Sequence, residues 1–328
     1  MPPGPSLVAE RHDVDPQFWW LLDLLGDLTL DDDSLAATRA GFEALSAAVP
    51  GPEVAGLVVE DRRVPGGPGD PEVGVRLYLP ERGALPTPAL LWIHGGGMVM
   101  GSPSASDLTA RHAVAHLGWP VVSVDYRLAP ETPFPGPLDD CTAAFDWLVG
   151  AAGELGVDPT RIGVVGESAG GGLAAGLALR CRGRAAAPAF QVLIYPMLDD
   201  RTVVRPDPSP HAGRDVWTPA LNRFGWSAYL GVEPGSAGVA ATAAPARADD
   251  LSGLPPAFIS VGALDLFLDE DVEYARRLAA AGVPVELHVF PRTPHGFAGL
   301  LGTSPLADEH ALVVHAALRR ELGGGDPC

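Results

Sequence analysis

Six short, β-rich apolar segments alternate with helical segments between residues 89 and 290, and this alternation is the strongest constraint on the fold. The segments are Ala89 to Ile93, Val121 to Val124, Ile162 to Val165, Phe190 to Tyr195, Ala257 to Val261 and Val285 to Phe290. Apolar strands that alternate with helices are typical of a parallel sheet covered on both faces. The sequence therefore predicts an α/β fold with a doubly wound, mostly parallel sheet in a domain of about 250 residues.

The first 50 residues have a helical pattern. Asp15 suits the N-cap position and Pro16 the first helical position, and a second helix is expected from Ser34 to Ala47. The first helix carries two apolar stripes, one of Phe18, Leu21, Leu22 and Leu25 and the other of Trp20, Leu24 and Leu28. A helix that is apolar on two sides must be covered on both, or must line a cavity for an apolar ligand.

Residues 51–328 are predicted to form one large domain with one insertion. This part opens with two hairpin-like runs, Gly56 to Val64 and Val73 to Leu79, which a turn-rich segment joins. A proline-rich, aromatic stretch at about 197–232 has the character of an insertion rather than of sheet. We therefore expect a helical part at residues 1–50 and an α/β domain at residues 51–328.

The chain is acidic, with 41 aspartates and glutamates against 22 cationic residues and a net charge of −19. Proteins that bind nucleic acids or anionic membranes need a basic surface, so neither partner is expected. Nine of the acidic residues and two of the arginines lie in the first 50 residues. We interpret this excess as a solvated acidic face.

Cysteine usage and the amino terminus both favour a cytoplasmic location. Cys141, Cys181 and Cys328 cannot all pair with one another, and a chain of 34.0 kDa buries enough surface to fold without disulfides. The amino terminus lacks a basic segment, and acidic residues interrupt its first apolar run. We therefore expect free thiols and neither a signal peptide nor a membrane span.

A candidate nucleophile lies in the segment Gly166-Glu167-Ser168-Ala169-Gly170, which follows an apolar run and opens a helix. The pattern G-x-S-x-G between a strand and a helix is typical of a strained turn that exposes the serine oxygen above the sheet. The N–H groups at the start of the helix point toward charge that develops beside that oxygen. The pentapeptide alone is weakly specific, and its position between strand and helix makes Ser168 a candidate.

Three successive glycines follow the first of the six apolar runs, in the segment His94-Gly95-Gly96-Gly97. Consecutive glycines let backbone N–H groups approach a ligand closely, as an oxyanion hole requires. The alternative is a flexible turn in a glycine-rich chain. We interpret His94 as a structural residue that orients this loop rather than as a proton carrier.

Activation of a serine requires a base and a carboxylate that orients the base. Asp265 follows the fifth of the six apolar runs, and His295 follows the sixth. Since the carboxyl ends of parallel strands meet at one edge of a sheet, both side chains are expected near Ser168. In chain order the candidates are therefore the serine, then the acid, then the histidine.

Other titratable residues are weaker candidates. Asp269 and Asp271 are rivals for the acid, but they lie on the helix that follows, where we expect solvated or structural roles. The remaining histidines lack a position at a strand end, and we interpret them as surface or packing residues; they are His12, His112, His116, His211, His288, His310 and His315.

Taken together, the motifs resemble those of the hormone-sensitive-lipase-like esterases, the bacterial family IV group within the α/β-hydrolase fold. The matching segments, in the family's order, are His94 to Gly97, Tyr126 to Glu131, Asp139-Asp140 with Trp147-Leu148, Asp158 to Ile162, Gly166 to Gly170, Asp265 and His295 to Phe297. The resemblance spans about Val73 to Leu322, and the helical amino terminus resembles the family's cap.

The resemblance implies a serine carboxylesterase without a metal or organic cofactor. Its implied residues are the nucleophile Ser168, the base His295, the orienting acid Asp265, oxyanion N–H groups of Gly96, Gly97 and Ala169, and supporting residues His94, Gly95, Gly166, Glu167 and Gly170. The chain departs from the family pattern at Glu167, where Asp is commoner, and at Leu266, where Pro is commoner. Neither departure removes a reacting group.

The substrate is less constrained than the reaction. The apolar first helix and the aromatic insertion favour a buried pocket for the acyl or alcohol group, with Met98 and Val99 near the oxyanion hole. Packing between cap and body is the alternative for these aromatic residues. An apolar cap favours uncharged esters, and the acidic chain repels anionic ones. We expect acyl esters of short to medium chain length.

Two alternatives to an esterase remain at this level. An amidase, lactonase or deacetylase would use the same triad, whereas a non-catalytic ligand receptor on this fold would be expected to lose a triad member. The sequence leaves the oligomeric state open, with an edge strand or the cap as the candidate surface for a homodimer.

Overall fold

The computed structural model describes residues 13–26, 28–49, 51–81, 83, 86–207 and 209–324, and these contain one eight-stranded sheet. The strands are β1 (Val58–Val64), β2 (Val73–Leu79), β3 (Thr87–Ile93), β4 (Val121–Asp125), β5 (Val157–Glu167), β6 (Phe190–Ile194), β7 (Ala257–Gly262) and β8 (Val285–Phe290). Their order across the sheet is β1-β2-β4-β3-β5-β6-β7-β8. Only the pairings of β2 with β1 and with β4 are antiparallel, so the predicted mostly parallel α/β sheet is confirmed.

Helices cover the sheet. They are α1 (Trp19–Leu25), α2 (Leu35–Ala48), α3 (Asp107–Leu117), α4 (Gly136–Gly150), α5 (Ala152–Leu155), α6 (Ala169–Cys181), α7 (Pro219–Leu230), α8 (Leu268–Ala280) and α9 (Pro305–Leu322). Every residue of β6 and β7 is buried, which requires cover on both faces of the sheet. Helix α3 packs against α9, and α4 packs against α6.

The amino-terminal helices α1 and α2 depart from the sequence prediction in one respect. Asp15 caps a short 3₁₀ turn by accepting a hydrogen bond from the Gln17 N–H, and α1 follows that turn. The first apolar stripe is buried, but Trp20 and Leu24 of the second stripe are 36% and 42% exposed. The expectation that both stripes are covered is wrong for these two residues, because the short helix is buried along one side only.

The candidate functional residues lie at the carboxyl ends of parallel strands. His94 directly follows β3 and Ser168 directly follows β5, while Asp265 and His295 come shortly after β7 and β8. Strand β5 begins earlier than its apolar run, because it pairs with β3 on both sides of a register shift near Ala89. Parallel strands bring these four positions to one edge of the sheet.

Several expectations concern what the chain lacks or leaves unpaired. Among the residues that the structure describes, no helix is both long and apolar enough to cross a membrane. Within the same ranges, no cluster of three or more His, Cys, Asp or Glu side chains is arranged to hold a metal ion. Cys141 and Cys181 are buried free thiols, whereas Cys328 and His12 lie outside the described residues.

Candidate active site

Ser168 lies in the turn between β5 and α6, with φ 55° and ψ −119°. L-amino acids rarely adopt this conformation, so the turn is strained. A Cβ at Gly166 would lie 2.1 Å from the Gly170 carbonyl oxygen, and one at Gly170 would lie 2.1 Å from the Ile93 carbonyl oxygen. Neither position has room for a side chain, which explains both glycines of the G-x-S-x-G pattern.

Three side chains that are distant in sequence form one hydrogen-bonded chain at this turn. The Ser168 Oγ lies 2.9 Å from Nε2 of His295, and Nδ1 of His295 lies 2.8 Å from Oδ2 of Asp265. A carboxylate only accepts hydrogen bonds, so Nδ1 carries the proton and Nε2 accepts one from the serine. All three residues are buried. This order of donors and acceptors is the one that activates a serine hydroxyl.

Surrounding groups hold the acid and the base in place. The second oxygen of Asp265, Oδ1, accepts a hydrogen bond of 3.0 Å from the Phe267 N–H. The rings of Phe267 and Tyr195 meet the His295 ring edge-on, with ring centroids 5.2 and 4.7 Å from it. The imidazole is therefore fixed by one carboxylate and by two aromatic neighbours.

The loop after β3 brings Gly96 and Gly97 to the same pocket as Ser168. Gly96 and Gly97 have φ values of 116° and 62°, which glycine adopts without strain. A Cβ at Gly96 would lie 2.1 Å from the Met100 carbonyl oxygen, and one at Gly97 would lie 2.3 Å from the Trp217 ring. Both glycines line the same pocket as Ser168. Ala169 begins α6 beside them, where the first N–H groups of a helix have no partner within it.

His94 is buried beneath this loop and is neutral at neutral pH. Its ring stacks on Tyr126 at a centroid distance of 4.2 Å, and the Tyr126 hydroxyl donates to the His94 carbonyl oxygen at 3.0 Å. Its Nδ1 lies 2.8 Å from the Gly95 carbonyl oxygen. Burial lowers the pKa of His94 to about 4, which suits an orienting residue better than a proton carrier.

Glu167 precedes the serine and lines the pocket beside it. Its Oε1 accepts hydrogen bonds from the Trp92 Nε1–H at 3.2 Å and from the Thr109 hydroxyl at 3.1 Å. Burial raises the pKa of Glu167 to about 7, although these two hydrogen bonds favour the ionised form. The residue that departs from the family pattern is thus a carboxyl group that titrates near neutral pH.

The stability of a Glu167→Gln variant relative to the unchanged protein is expected to increase with pH. Between an ordinary pKa of 4.5 and the raised value of about 7, the folded protein keeps a proton that the unfolded chain releases. Its unfolding free energy therefore falls as pH rises through this window, by on the order of 3 kcal/mol, and glutamine removes that loss.

Urea unfolding of both proteins at pH 5 and pH 8 measures this difference. Glu309→Gln, which alters an exposed glutamate of α9, serves as the matched control and should give the same difference at both pH values. Parallel pH profiles for the Glu167→Gln variant and the unchanged protein would contradict the assigned titration.

The pocket above Ser168 is lined mainly by apolar residues and opens to solvent. Its walls combine residues from α1, from α2 and the segment between them, from the insertion and from a late loop. These residues are Leu25, Leu28, Phe42, Val216, Trp217 and Leu300. Met100 lines the pocket, whereas Met98 and Val99 are buried behind it. Tyr195, Met100 and Leu300 carried no sequence signal, because their position depends on where distant loops meet.

The rival acids are not equivalent. Asp269 is exposed and pairs with Arg205 at 3.2 Å. Asp271 is fully buried, and neither of its oxygens has a hydrogen-bond partner among the described residues. Burial, with Glu270 and Asp265 nearby, raises the pKa of Asp271 well above its ordinary value. Of the solvated and structural roles expected for these two residues, Asp269 therefore fits the first and Asp271 the second, because α8 packs against β7 and β8.

Comparisons with known proteins agree with this geometry. A family model described as an alpha/beta hydrolase fold matches residues 90–299. The chain belongs to this α/β-hydrolase family. The esterase LipI of Mycobacterium tuberculosis is 36% identical over 99% of this chain and all of its own length. The carboxylesterase NlhH of the same organism is 38% identical, over 95% of this chain and 97% of its own.

Solved structures of this α/β-hydrolase family give the same result. A structure of a bacterial heroin esterase is 42% identical, with a TM-score of 0.86, and covers 94% of this chain and 98% of its own. A hyperthermophilic esterase from Pyrobaculum calidifontis is 32% identical with a TM-score of 0.82, covering 94% and 98%. The sequence resemblance to the hormone-sensitive-lipase-like group is therefore confirmed at the level of the family and its fold.

Proposed function

We propose that the protein is a carboxylic ester hydrolase that cleaves short- to medium-chain acyl esters through an acyl-enzyme intermediate. The observation that carries the proposal is the hydrogen-bonded chain from Asp265 through His295 to Ser168 at the floor of an apolar pocket. Relatives that span the whole chain are named esterase and carboxylesterase, which supports the same class of reaction.

The first half of the reaction transfers the acyl group to the enzyme. Ser168 gives its proton to Nε2 of His295 as Oγ attacks the ester carbonyl, and the oxyanion accepts hydrogen bonds from the N–H groups of Gly96, Gly97 and Ala169. Asp265 stabilises the imidazolium that forms. His295 then returns the proton to the alkoxide oxygen, the C–O bond breaks and the alcohol leaves.

The second half reverses these roles with water. His295 takes a proton from a water molecule, whose oxygen attacks the acyl carbonyl, and the same N–H groups receive the second oxyanion. Collapse of this intermediate breaks the bond to Ser168 Oγ, which recovers its proton from His295. The acid product then leaves, and the hydrogen-bonded chain to Asp265 is restored.

The walls of the pocket favour uncharged substrates of limited length. The pocket leaves about 50 Å³ for the centre of a water-sized sphere, which is narrow for a long acyl chain. Of the described residues that line it, Glu167 and His295 are the titratable ones apart from Tyr195, and no arginine is among them. An acid group on the substrate would therefore meet no cationic partner in the pocket, within a chain whose net charge is −19.

For p-nitrophenyl esters from acetate to palmitate, we expect kcat/KM to peak at butyrate to octanoate. It should fall by on the order of 10-fold or more at palmitate, because the longer chain does not fit within the narrow pocket. The corresponding p-nitroanilides, measured in parallel, distinguish ester from amide cleavage. A maximum at palmitate would contradict the proposed chain length, and faster cleavage of the anilides would contradict the proposed bond.

A matched pair of variants locates the wall that limits the chain. Phe42→Ala removes a ring from the part of the pocket formed by α2 and should move the optimum toward longer acyl chains. Phe224→Ala removes a ring from α7 that does not line the pocket, and it should leave the optimum where it is.

A further inference from the structure

Helix α2 is fastened to the oxyanion loop, residues 94–101, through Arg39. The Arg39 Nε–H donates to the Val99 carbonyl oxygen at 2.6 Å, and Nη2–H donates to the Ala129 carbonyl oxygen at 2.8 Å. Nη1 and Nη2 also donate to the two carboxylate oxygens of Glu131, at 2.7 and 2.8 Å. One guanidinium group thus joins α2, the oxyanion loop and the loop that follows β4.

A second attachment lies one helical turn further along α2. Glu43 accepts hydrogen bonds from the hydroxyl groups of Ser102 at 2.8 Å and Ser104 at 2.7 Å, just after the oxyanion loop. Arg39, Phe42 and Glu43 are spaced so that they share one face of the helix, and Phe42 lines the pocket. The face of α2 that borders the pocket therefore carries both attachments.

The loop contains a segment that needs such support. Gly97 and Met98 are consecutive residues with φ values of 62° and 65°, and Met98 has a side chain. A residue in this region persists where its surroundings over-determine it. The Met98 carbonyl oxygen accepts from the Ala129 N–H at 2.9 Å, and the next carbonyl, that of Val99, accepts from Arg39. The segment is thus held by the body on one side and by α2 on the other.

Val99 is connected directly to an oxyanion donor. The N–H groups of Val99 and Met100 both donate to the Gly96 carbonyl oxygen, at 3.1 and 3.0 Å. That carbonyl belongs to the same planar peptide unit as the Gly97 N–H. A shift of Val99 would therefore rotate the Gly96–Gly97 peptide unit and change the direction of the Gly97 N–H.

We propose that Arg39 is a positioning residue for the oxyanion hole, acting from α2 through Val99 and the Gly96–Gly97 peptide unit. The inference rests on the proposed function, since it concerns the group that stabilises the oxyanion. Glu131 keeps the guanidinium in place. The hydrogen bonds from Arg39 lower the pKa of Glu131 to about 2, so the Glu131 carboxylate is ionised at neutral pH.

The test is a comparison of acylation rate with substrate affinity in Arg39→Met, which keeps the aliphatic stem and removes every donor. Stopped-flow release of p-nitrophenol gives both the acylation rate constant and the Kd of the substrate. We expect the rate constant to fall by about 10- to 100-fold and the Kd to change by less than about 3-fold. A trifluoromethyl ketone, whose adduct carries an oxyanion, should lose affinity by the same factor as the acylation rate.

Three further variants separate positioning from general stability. Arg62→Met removes an arginine that pairs with Glu60 and Glu154 away from the pocket, and it should leave acylation unchanged. Glu131→Gln leaves Arg39 bonded to its two carbonyl oxygens and should lower the rate by less than about 3-fold. Arg39→Lys supplies a charge without the guanidinium fork and should lie between Arg39→Met and the unchanged protein. Should Arg39→Met fail to fold, Arg39→Gln provides the same comparison.

Two results would overturn the inference while leaving the proposed function intact. The first is an Arg39→Met variant with an unchanged acylation rate and a weakened Kd, which would make Arg39 a support of the pocket wall alone. The second is unchanged affinity for the trifluoromethyl ketone. Failure of the proposed function would instead appear in the unchanged protein, as an absence of p-nitrophenol release.

Discussion

Replacing Ser168 with alanine is expected to lower kcat for ester hydrolysis by on the order of 10⁶. The variant lacks the Oγ atom that His295 Nε2 contacts at 2.9 Å in the pocket and that is placed to attack the carbonyl. The oxyanion N–H groups and the pocket remain, so a residual rate of roughly 10³ to 10⁴ over the uncatalysed reaction should persist. Single-turnover assays with p-nitrophenyl butyrate measure both quantities.

Ser123→Ala is the matched control for this variant. Ser123 is a buried serine of β4 whose hydroxyl has no hydrogen-bond partner in the described part of the chain, and it does not line the catalytic pocket. Its kcat should stay within about 2-fold of the unchanged protein.

A fluorophosphonate should form one covalent adduct with the unchanged protein, at Ser168, and abolish its activity. Retention of a tenth or more of kcat by Ser168→Ala would exclude it as the nucleophile.

Replacing Asp265 with asparagine is expected to lower kcat by roughly 10⁴. The Phe267 N–H donates to Oδ1 at 3.0 Å, so the amide oxygen of asparagine will occupy that position and its NH₂ will face His295. The imidazole must then carry its proton on Nε2 rather than on Nδ1, and it can no longer accept the proton of Ser168. The loss arises from the wrong tautomer of a correctly placed ring.

Asp269→Asn provides the comparison for Asp265→Asn. Asp269 lies four residues further along the chain and is exposed, with Arg205 as its partner. This control should keep kcat within about 2-fold, because its carboxylate has no contact with the reacting groups. Equal losses in the two variants would show that the effect follows from reduced charge and not from the orientation of His295.

The residues that assemble at the pocket floor were accessible from sequence because each follows an apolar run. Parallel strands place their carboxyl ends along one edge, so Asp265 and His295 were expected near Ser168 although they lie 97 and 127 residues after it along the chain. The glycines of the oxyanion loop and of the serine turn were accessible for a different reason. The backbone conformations of these glycines and their close contacts exclude other residues. The glycine pattern in the sequence therefore indicates the local structure directly.

Features that depend on contacts between distant segments were not accessible in this way. Arg39 meets Val99 and Glu131 across 60 and 92 residues, and no motif marks it. The exposure of Trp20 and the burial of Asp271 also depend on how a helix seats on the body rather than on its own periodicity. The same holds for Glu167, whose raised pKa reflects the apolar surroundings that the rest of the fold supplies.

Two of the reacting side chains, Ser168 and His295, follow strands that differ in how many neighbouring strands hold them in the sheet. Ser168 follows β5, which has a neighbour on each side, whereas His295 follows β8, which lies at the edge of the sheet formed by the described residues and pairs there with β7. The side chains of Leu287 and Val289 on that strand are partly open to solvent. A marginal strand opens at a lower free energy than a central one. We therefore expect heating to inactivate the enzyme through local opening of β8, at a temperature below that at which the central strands unfold.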